Sequence, residues 1–225
     1  MDTVVNTADT SLIESGEMEV LGQLAVASNA TLLVEVNGVR AVYKPVAGEQ
    51  PLWDFPDHTL GLRELAAYQF SEALHWSIVP PTVFRDGPYG PGAVQLWIDI
   101  DEEIDLIDLV NSDHPRLAQI ALFDAMINNT DRKVSHLLPT KESIFGCDHG
   151  VTFHEQDKLR TVLWQWRGLP IPQDLLDDIK GVAFPELPIS EAEMSALKRR
   201  MALLIEAEVF PMPSSNWPAV PYPPF

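Results

Sequence analysis

Two short acidic motifs and one upstream lysine carry the chemistry that this sequence can do. The first motif is Asn129-Thr130-Asp131-Arg132-Lys133-Val134-Ser135-His136 and the second is Gly146-Cys147-Asp148-His149-Gly150. The lysine closes the run Val42-Tyr43-Lys44-Pro45. Phosphoryl transfer from a nucleotide needs such parts in this order: a lysine on the phosphates, an acid that orients the nucleophile, then a polar group and a second acid on the metal. Asp131 and His136 are five residues apart, the separation between base and metal-binding asparagine in the kinase loop H-R-D-x-x-x-x-N. Histidine stands where asparagine would, and a neutral imidazole ligates divalent metals, although it is softer than oxygen. Asp148 follows His136 by twelve residues and precedes His149-Gly150, like the metal acid of D-F-G. Taken alone, each fragment also has a plain reading as a helix end, a β-turn or a surface cation. Together they specify a site.

The elements that must position these residues can be read from pattern. Glu19 to Ala27 suits one strand. Thr31 to Val36 and Val39 to Lys44 are β-branched runs joined by Asn37-Gly38, a strong hairpin signal because both positions favour φ > 0. Pro45 removes a ladder donor and ends that strand. Residues 45–60 read as a proline-containing loop. Leu62 to Leu74 repeats near a 3.6 period and predicts a helix. It carries Glu64, placed to hold Lys44 by an ion pair. Glu72 lies eight residues on, near the same face, so spacing leaves both open; Glu64 is preferred because it sits nearer the loop from Lys44. Thr82 to Phe84 and Val94 to Ile98 are short strands around a turn. The turn at Ala27–Thr31 lacks glycine, but Ser28, Asn29 and Thr31 bring donors to a phosphate.

Beyond Ile98 the pattern turns helical. Leu117 to Asn128 is apolar and reads as buried. Ser143 to Cys147 suits a short strand before Asp148. Lys158 to Trp166 and Gln173 to Ile179 predict short helices. Ser190-Glu-Ala-Glu193 is a capping box opening a helix to about Val209. The last fifteen residues hold six prolines and predict an extended tail that packs back on its own domain, with Trp217, Tyr222 and Phe225 as apolar anchors. The expected organisation is a flexible arm at 1–16, a β-rich N-lobe at 17–93, a hinge at 94–98, a small helical C-lobe at 99–210 and a proline-rich tail at 211–225. The fold class is therefore α+β, a two-lobed protein-kinase-like plan.

Composition limits the partners. The chain has 225 residues and 46% hydrophobic content, enough for a core. Its net charge of −18 repels nucleic-acid backbones and anionic membranes, so neither nucleic acid nor stable membrane anchoring is expected. With Cys147 as the single cysteine no internal disulfide is possible, and a reducing cytoplasm is the natural setting. There is no secretory signal pattern and no apolar run of spanning length. Cys147 reads as a structural thiol, and no H-E-x-x-H spacing supports a hydrolytic metal site.

Tyr43-Lys44-Pro45, Arg63-Glu64-Leu-Ala-Ala-Tyr68, Asn129-Thr-Asp-Arg-Lys133 with His136, and Asp148-His-Gly150 resemble the phosphoinositide-kinase-like (atypical kinase) superfamily. The likeness is to small actinobacterial proteins of the phosphatidylinositol 3- and 4-kinase-like group, and HipA-type kinases share the same plan. Gly48 to Pro56, Val79-Pro-Pro-Thr82 and Gln95-Leu-Trp97 belong to it, and it spans residues 17 to 210. It implies ATP and Mg²⁺ or Mn²⁺ as cofactors. It also implies Lys44 on the phosphates, Glu64 orienting it, Asp131 as catalytic acid, His136 and Asp148 on the metal, and Gln95, Leu96 and Trp97 as the hinge that meets adenine. The departures are the missing glycine-rich loop, histidine for asparagine, and a short C-terminal lobe. The expected activity is a phosphotransferase acting on a protein or small molecule. The alternatives are a nucleotide-binding pseudokinase and a non-catalytic interaction protein. A lipid headgroup is disfavoured by the acidic chain.

Overall fold

A computed structural model describes residues 10–24 and 30–225. Ser28 and Asn29 lie outside the described residues. After a single helical turn, α1 (Ser11–Glu14), come three strands: β1 (Met18–Gln23), β2 (Leu32–Val36) and β3 (Val39–Pro45). Helix α2 (Leu60–Ala73) is followed by β4 (Thr82–Gly87) and β5 (Gly90–Leu96). All five strands form one antiparallel sheet in the order β1-β2-β3-β5-β4. The remainder is mainly helical: α3 (Leu106–Val110), α4 (Pro115–Ile127), α5 (Gln173–Gly181) and α6 (Glu191–Ala207), with a small hairpin of β6 (Leu137–Pro139) and β7 (Ile144–Gly146).

The β2–β3 hairpin fixes where Lys44 points. Asn37 and Gly38 have φ of 51° and 81°, and Val36 pairs with Val39 across them. This two-residue turn matches the twist of the flanking strands. The side-chain period of two then sends Ala41 and Tyr43 into the core and Lys44 to the other face. On β5, Gly92 stands opposite Pro45. A Cβ there would lie 2.4 Å from the Lys44 carbonyl oxygen, so only glycine permits the close strand approach.

Two hydrophobic cores form. One is the sheet's own, with Ile13, Val34, Tyr43, Val94 and Leu96. The other gathers α2, α4 and α6 around Phe70, Phe123, Ile120, Leu197 and Met201, with Phe70 and Phe123 stacked at 5.9 Å. Helix α2 therefore belongs to the helical core while Lys44 belongs to the sheet. Arg63 extends the attachment: it donates to the Thr152 carbonyl at 2.8 Å and pairs with Glu193, which also closes the capping box with Ser190.

Several boundaries differ from the sequence reading. Helix α2 starts at Leu60, where the Glu49 side chain accepts the Gly61 N–H at 2.9 Å. Strands β4 and β5 run on to Gly87 and Gly90, leaving a turn of only Pro88 and Tyr89. The expected helix at Lys158 to Trp166 does not form. The N–H groups of Arg160, Thr161 and Val162 donate instead to the carbonyls of Asn129, Ala219 and Arg132, which holds the segment extended. Tertiary pairing overrides a weak helical pattern. The tail does fold back: Thr161 and Trp164 both donate to the Ala219 carbonyl, and Val134 donates to Pro224. Of its three aromatic residues only Trp217 is half-buried. Tyr222 and Phe225 stay exposed and anchor nothing.

Candidate active site

The sheet, α2 and the loops after α4 and β7 bring the charged residues together. The Lys44 ammonium pairs with Glu64 and with Asp148 Oδ1 at 2.9 Å. Glu64 is buried, and its other oxygen accepts the His149 backbone N–H at 3.0 Å. One carboxylate thus ties the lysine to the segment bearing Asp148. Glu72 takes no part, and its Oε1 is enclosed without a partner. Burial works against the Lys44 charge, but Asp148 and Glu64 more than offset it and raise its pKa.

Asp148 sits at φ 59°, in the left-handed region that a non-glycine residue rarely adopts. Such strained positions cluster at functional sites. Asp148 is about half exposed, and the Lys44 ammonium beside it holds its carboxyl well below the usual carboxylate range. Its Oδ2 lies 3.3 Å from His136 Nε2. Burial pushes the His136 pKa down to about 4, so the imidazole is neutral near pH 7.

Asp131 lies across the cleft on the loop after α4. Helix α4 ends at Asn128, itself left-handed, whose side chain bonds the carbonyls of His154 and Gln156. Asn129 Oδ1 accepts the Asp131 N–H at 3.0 Å and Lys133 pairs with the Asp131 carboxylate at 3.1 Å. Burial raises the Asp131 pKa while Lys133 pulls it back.

A fully buried residue braces this loop. Arg132 makes a two-point pair with Asp124 of α4, both contacts at 2.9 Å, and donates to the Cys147 carbonyl at 2.9 Å. It also reaches the His136 carbonyl at 3.3 Å and His149 Nε2 at 2.7 Å. Asn129 supports Asp124 from the other side at 3.0 Å. The motif reading passed over Arg132, Lys133 and Asp124. Asp124 had a signal, since a lone acid within an apolar helix needs a buried partner. Cys147 is a free thiol whose pKa burial pushes up to about 12, as befits a structural residue.

Lys44, Glu64, Asp131, Asp148 and Thr31 line one cavity of about 380 Å³. Arg160 and Trp217 line it too; the sequence marks Trp217 only as an anchor of the tail, and no local pattern points to Arg160. Gln95, Leu96 and Trp97 lie outside it. Gln95 is buried and donates to Thr82 Oγ1 at 2.9 Å. The Leu96 N–H donates to Pro81 at 2.8 Å and the Trp97 N–H to Arg40 at 3.0 Å. Those two amides are taken, so any contact with adenine there falls to carbonyls or to the residues that follow.

No protein-family model matches the chain. Protein Rv2133c of Mycobacterium tuberculosis (strain ATCC 25618 / H37Rv) is 39% identical over 264 aligned residues, covering 96% of this chain and 95% of that protein. Among solved structures, a hydra Fam20 determined with a sugar matches 92% of this chain and 89% of its own, at a TM-score of 0.61 and 15% identity. The Helicobacter pylori proinflammatory kinase CtkA matches 87% of this chain and 93% of its own, at a TM-score of 0.52 and 11% identity. The fold is a two-lobed, kinase-like α+β fold.

Proposed function

We propose that this chain, which belongs to the same family as Protein Rv2133c of Mycobacterium tuberculosis, is an ATP- and divalent-metal-dependent phosphotransferase of the atypical kinase class. The observation that carries the reading is the convergence of Lys44, Glu64 and Asp148, with Asp131 facing them across one cavity. Kinase-like folds in hydra Fam20 and CtkA support it. In this reading residues 94–98 connect an N-lobe to a C-lobe, and the likeness to phosphatidylinositol 3- and 4-kinase-like and HipA-type proteins is one of plan.

The residues divide the work. Lys44, kept charged and oriented by Glu64, neutralises phosphate oxygens of ATP. Asp148 and His136 offer a carboxylate and a neutral imidazole 3.3 Å apart. Among the described residues no group of three or more His, Cys, Asp or Glu could hold a metal. Two protein donors with nucleotide phosphates and water fit a kinase-type Mg²⁺ or Mn²⁺ site. When bound, the ion would draw charge from the transferring phosphoryl group. Asp131 orients the acceptor hydroxyl and takes its proton while the acceptor oxygen bonds to the terminal phosphorus and the bond to ADP breaks. No helix among the described residues is long and apolar enough to cross a membrane. The substrate in this reading is a protein side chain or a small molecule, and a cytoplasmic setting suits the single thiol.

The test is incubation with terminally labelled ATP and Mn²⁺, followed by analysis of the chain, added small molecules and released phosphate. Transfer that falls roughly 10²–10⁴-fold in Asp131→Ala supports the reading. Nucleotide bound without turnover would make the protein a pseudokinase. No nucleotide binding by folded protein would overturn the proposal.

A further inference from the structure

The C-terminal tail reaches into the cavity that holds Asp131, and it does so beside a cation that forms no ion pair with the described residues. The other charged residues that line the cavity have partners. Lys44 has Glu64 and Asp148, and Asp131 has Lys133. Glu49 caps α2. Asp54 pairs with Lys158 at 2.8 Å, and Lys158, behind the cavity wall, lies over the rings of Trp53 and Trp217. Arg160 alone among these makes no ion pair and no side-chain hydrogen bond to the described residues. Its guanidinium carbon sits 5.4 Å from the Trp217 ring centre. In a chain with 33 acidic and 15 basic residues, an arginine without a carboxylate in a cleft calls for a ligand.

The backbone holds Arg160 in place from two sides. Its own N–H and carbonyl pair with Asn129 and Arg132, the residues flanking Asp131 by two and one positions. The next residue, Thr161, is hydrogen-bonded to Ala219 of the tail. Arg160 is therefore fixed to the loop that carries Asp131 and propped from behind by Trp217. Two N–H donors at this wall, Arg160 Nε and Trp217 Nε1, are enclosed without an acceptor. Its charge also acts on Asp131, where it helps Lys133 to counter the effect of burial. A guanidinium suits planar, two-point recognition of phosphate or carboxylate oxygens. The cavity volume of about 380 Å³ is that of a small-molecule site.

We infer that Arg160, propped by Trp217 of the C-terminal tail, is the subsite for an oxyanion on the acceptor, and that the acceptor is a small molecule carrying a phosphate or carboxylate near the hydroxyl presented to Asp131. This rests on the phosphotransferase reading above. The tail is then a working wall of the site rather than a covering segment.

Inorganic phosphate is the probe. It is titrated calorimetrically, in phosphate-free buffer, into the full chain saturated with a non-hydrolysable ATP analogue and Mn²⁺, so that the terminal-phosphate position is already filled. The expected result is one saturable phosphate site, weakened at least tenfold in Arg160→Met and at least threefold in Trp217→Ala, with analogue affinity kept within twofold. If Trp217→Ala does not fold, Trp217→Phe replaces it, with an intermediate effect expected. Absence of the phosphate site in the wild-type chain, or equal phosphate affinity in Arg160→Met, overturns the inference. Loss of analogue affinity in Arg160→Met overturns it as well, by assigning Arg160 to the nucleotide's own phosphate. If the wild-type chain binds no analogue, the phosphotransferase reading has failed separately. Phosphate titrated into the unliganded chain then decides the subsite by the same Arg160 dependence.

Discussion

Replacing Arg132 with methionine should be among the costliest single changes in this protein. The side chain is fully buried and five contacts converge on it, from Asp124, His136, Cys147 and His149. Methionine fills much of the volume but leaves the Asp124 carboxylate with only Asn129 for support. Breaking a buried pair by removing one partner costs about 3–5 kcal/mol, because an uncompensated charge remains. For a domain of this size each kcal/mol lowers the melting temperature by about 2–4 °C, so a fall of roughly 10 °C is expected in Arg132→Met. The double variant Asp124→Asn/Arg132→Met removes the stranded charge and should recover part of the loss. The interaction energy between the two positions should be at least about 1 kcal/mol. Urea unfolding and thermal melts on all four proteins give the cycle. An Arg132→Met protein melting within one degree of wild type would refute the reasoning, and so would strict additivity. Under the proposed function a drop in nucleotide affinity should accompany the loss, since Arg132 holds the carbonyls of His136 and of Cys147, the residue before Asp148.

Three further outcomes follow from the same geometry. Asp148 has a depressed folded-state pKa, so its stabilising contribution is fully present above the unfolded value of about 3.9 and fades as pH falls below it. The melting-temperature gap between wild type and Asp148→Asn should therefore narrow steadily as pH falls below about 4, and a constant gap would count against the Lys44–Asp148 pair. His136→Asn exchanges a softer nitrogen donor for oxygen, so the ratio of Mg²⁺ to Mn²⁺ affinity in the presence of ADP should rise; an unchanged ratio would remove His136 from the metal site. Deleting residues 211–225 removes the bonds to Val134, Thr161 and Trp164, and should lower the melting temperature by several degrees, in line with about 1–2 kcal/mol.

What the sequence disclosed and what it hid divide along a physical line. Lys44 was legible because Asn37-Gly38 dictates one turn, the turn dictates register, and register dictates which face each residue takes. The nearness of Asp148 to His136 follows from the β6–β7 hairpin between them, which closes with the Cys147 N–H on the His136 carbonyl and leaves the two side chains 3.3 Å apart. Glu64 against Glu72 was not decidable from periodicity. The choice depends on where α2 begins, and that is set by Glu49 capping Gly61 from a distant loop. The extended course of Lys158 to Trp166 was hidden for the same reason, since its backbone partners Asn129, Arg132 and Ala219 are all remote in sequence. Trp217 and Arg160 entered the cavity through those pairings. Local pattern singles out the candidate residues; long-range pairing decides what stands around them.

The site also occupies a particular place between the two cores. Lys44 grows from the sheet, whose core is its own, and Glu64 from α2, whose apolar face is shared with α4 and α6. The Lys44–Glu64 pair is thus a polar bridge between two separately packed bodies. Asp148 and His149 bind the same two residues, Asp148 through Lys44 and His149 through the other oxygen of Glu64. A small shift of α2 against the sheet would lengthen the Lys44–Glu64 contact, while the Glu64–His149 contact stays within the helical side. Apolar packing tolerates little motion within either core, but ion pairs at half-exposed positions such as Asp148 contribute little rigidity in water. The arrangement therefore puts the polar contact between the two cores at the point where, in the proposed function, phosphate oxygens would be held.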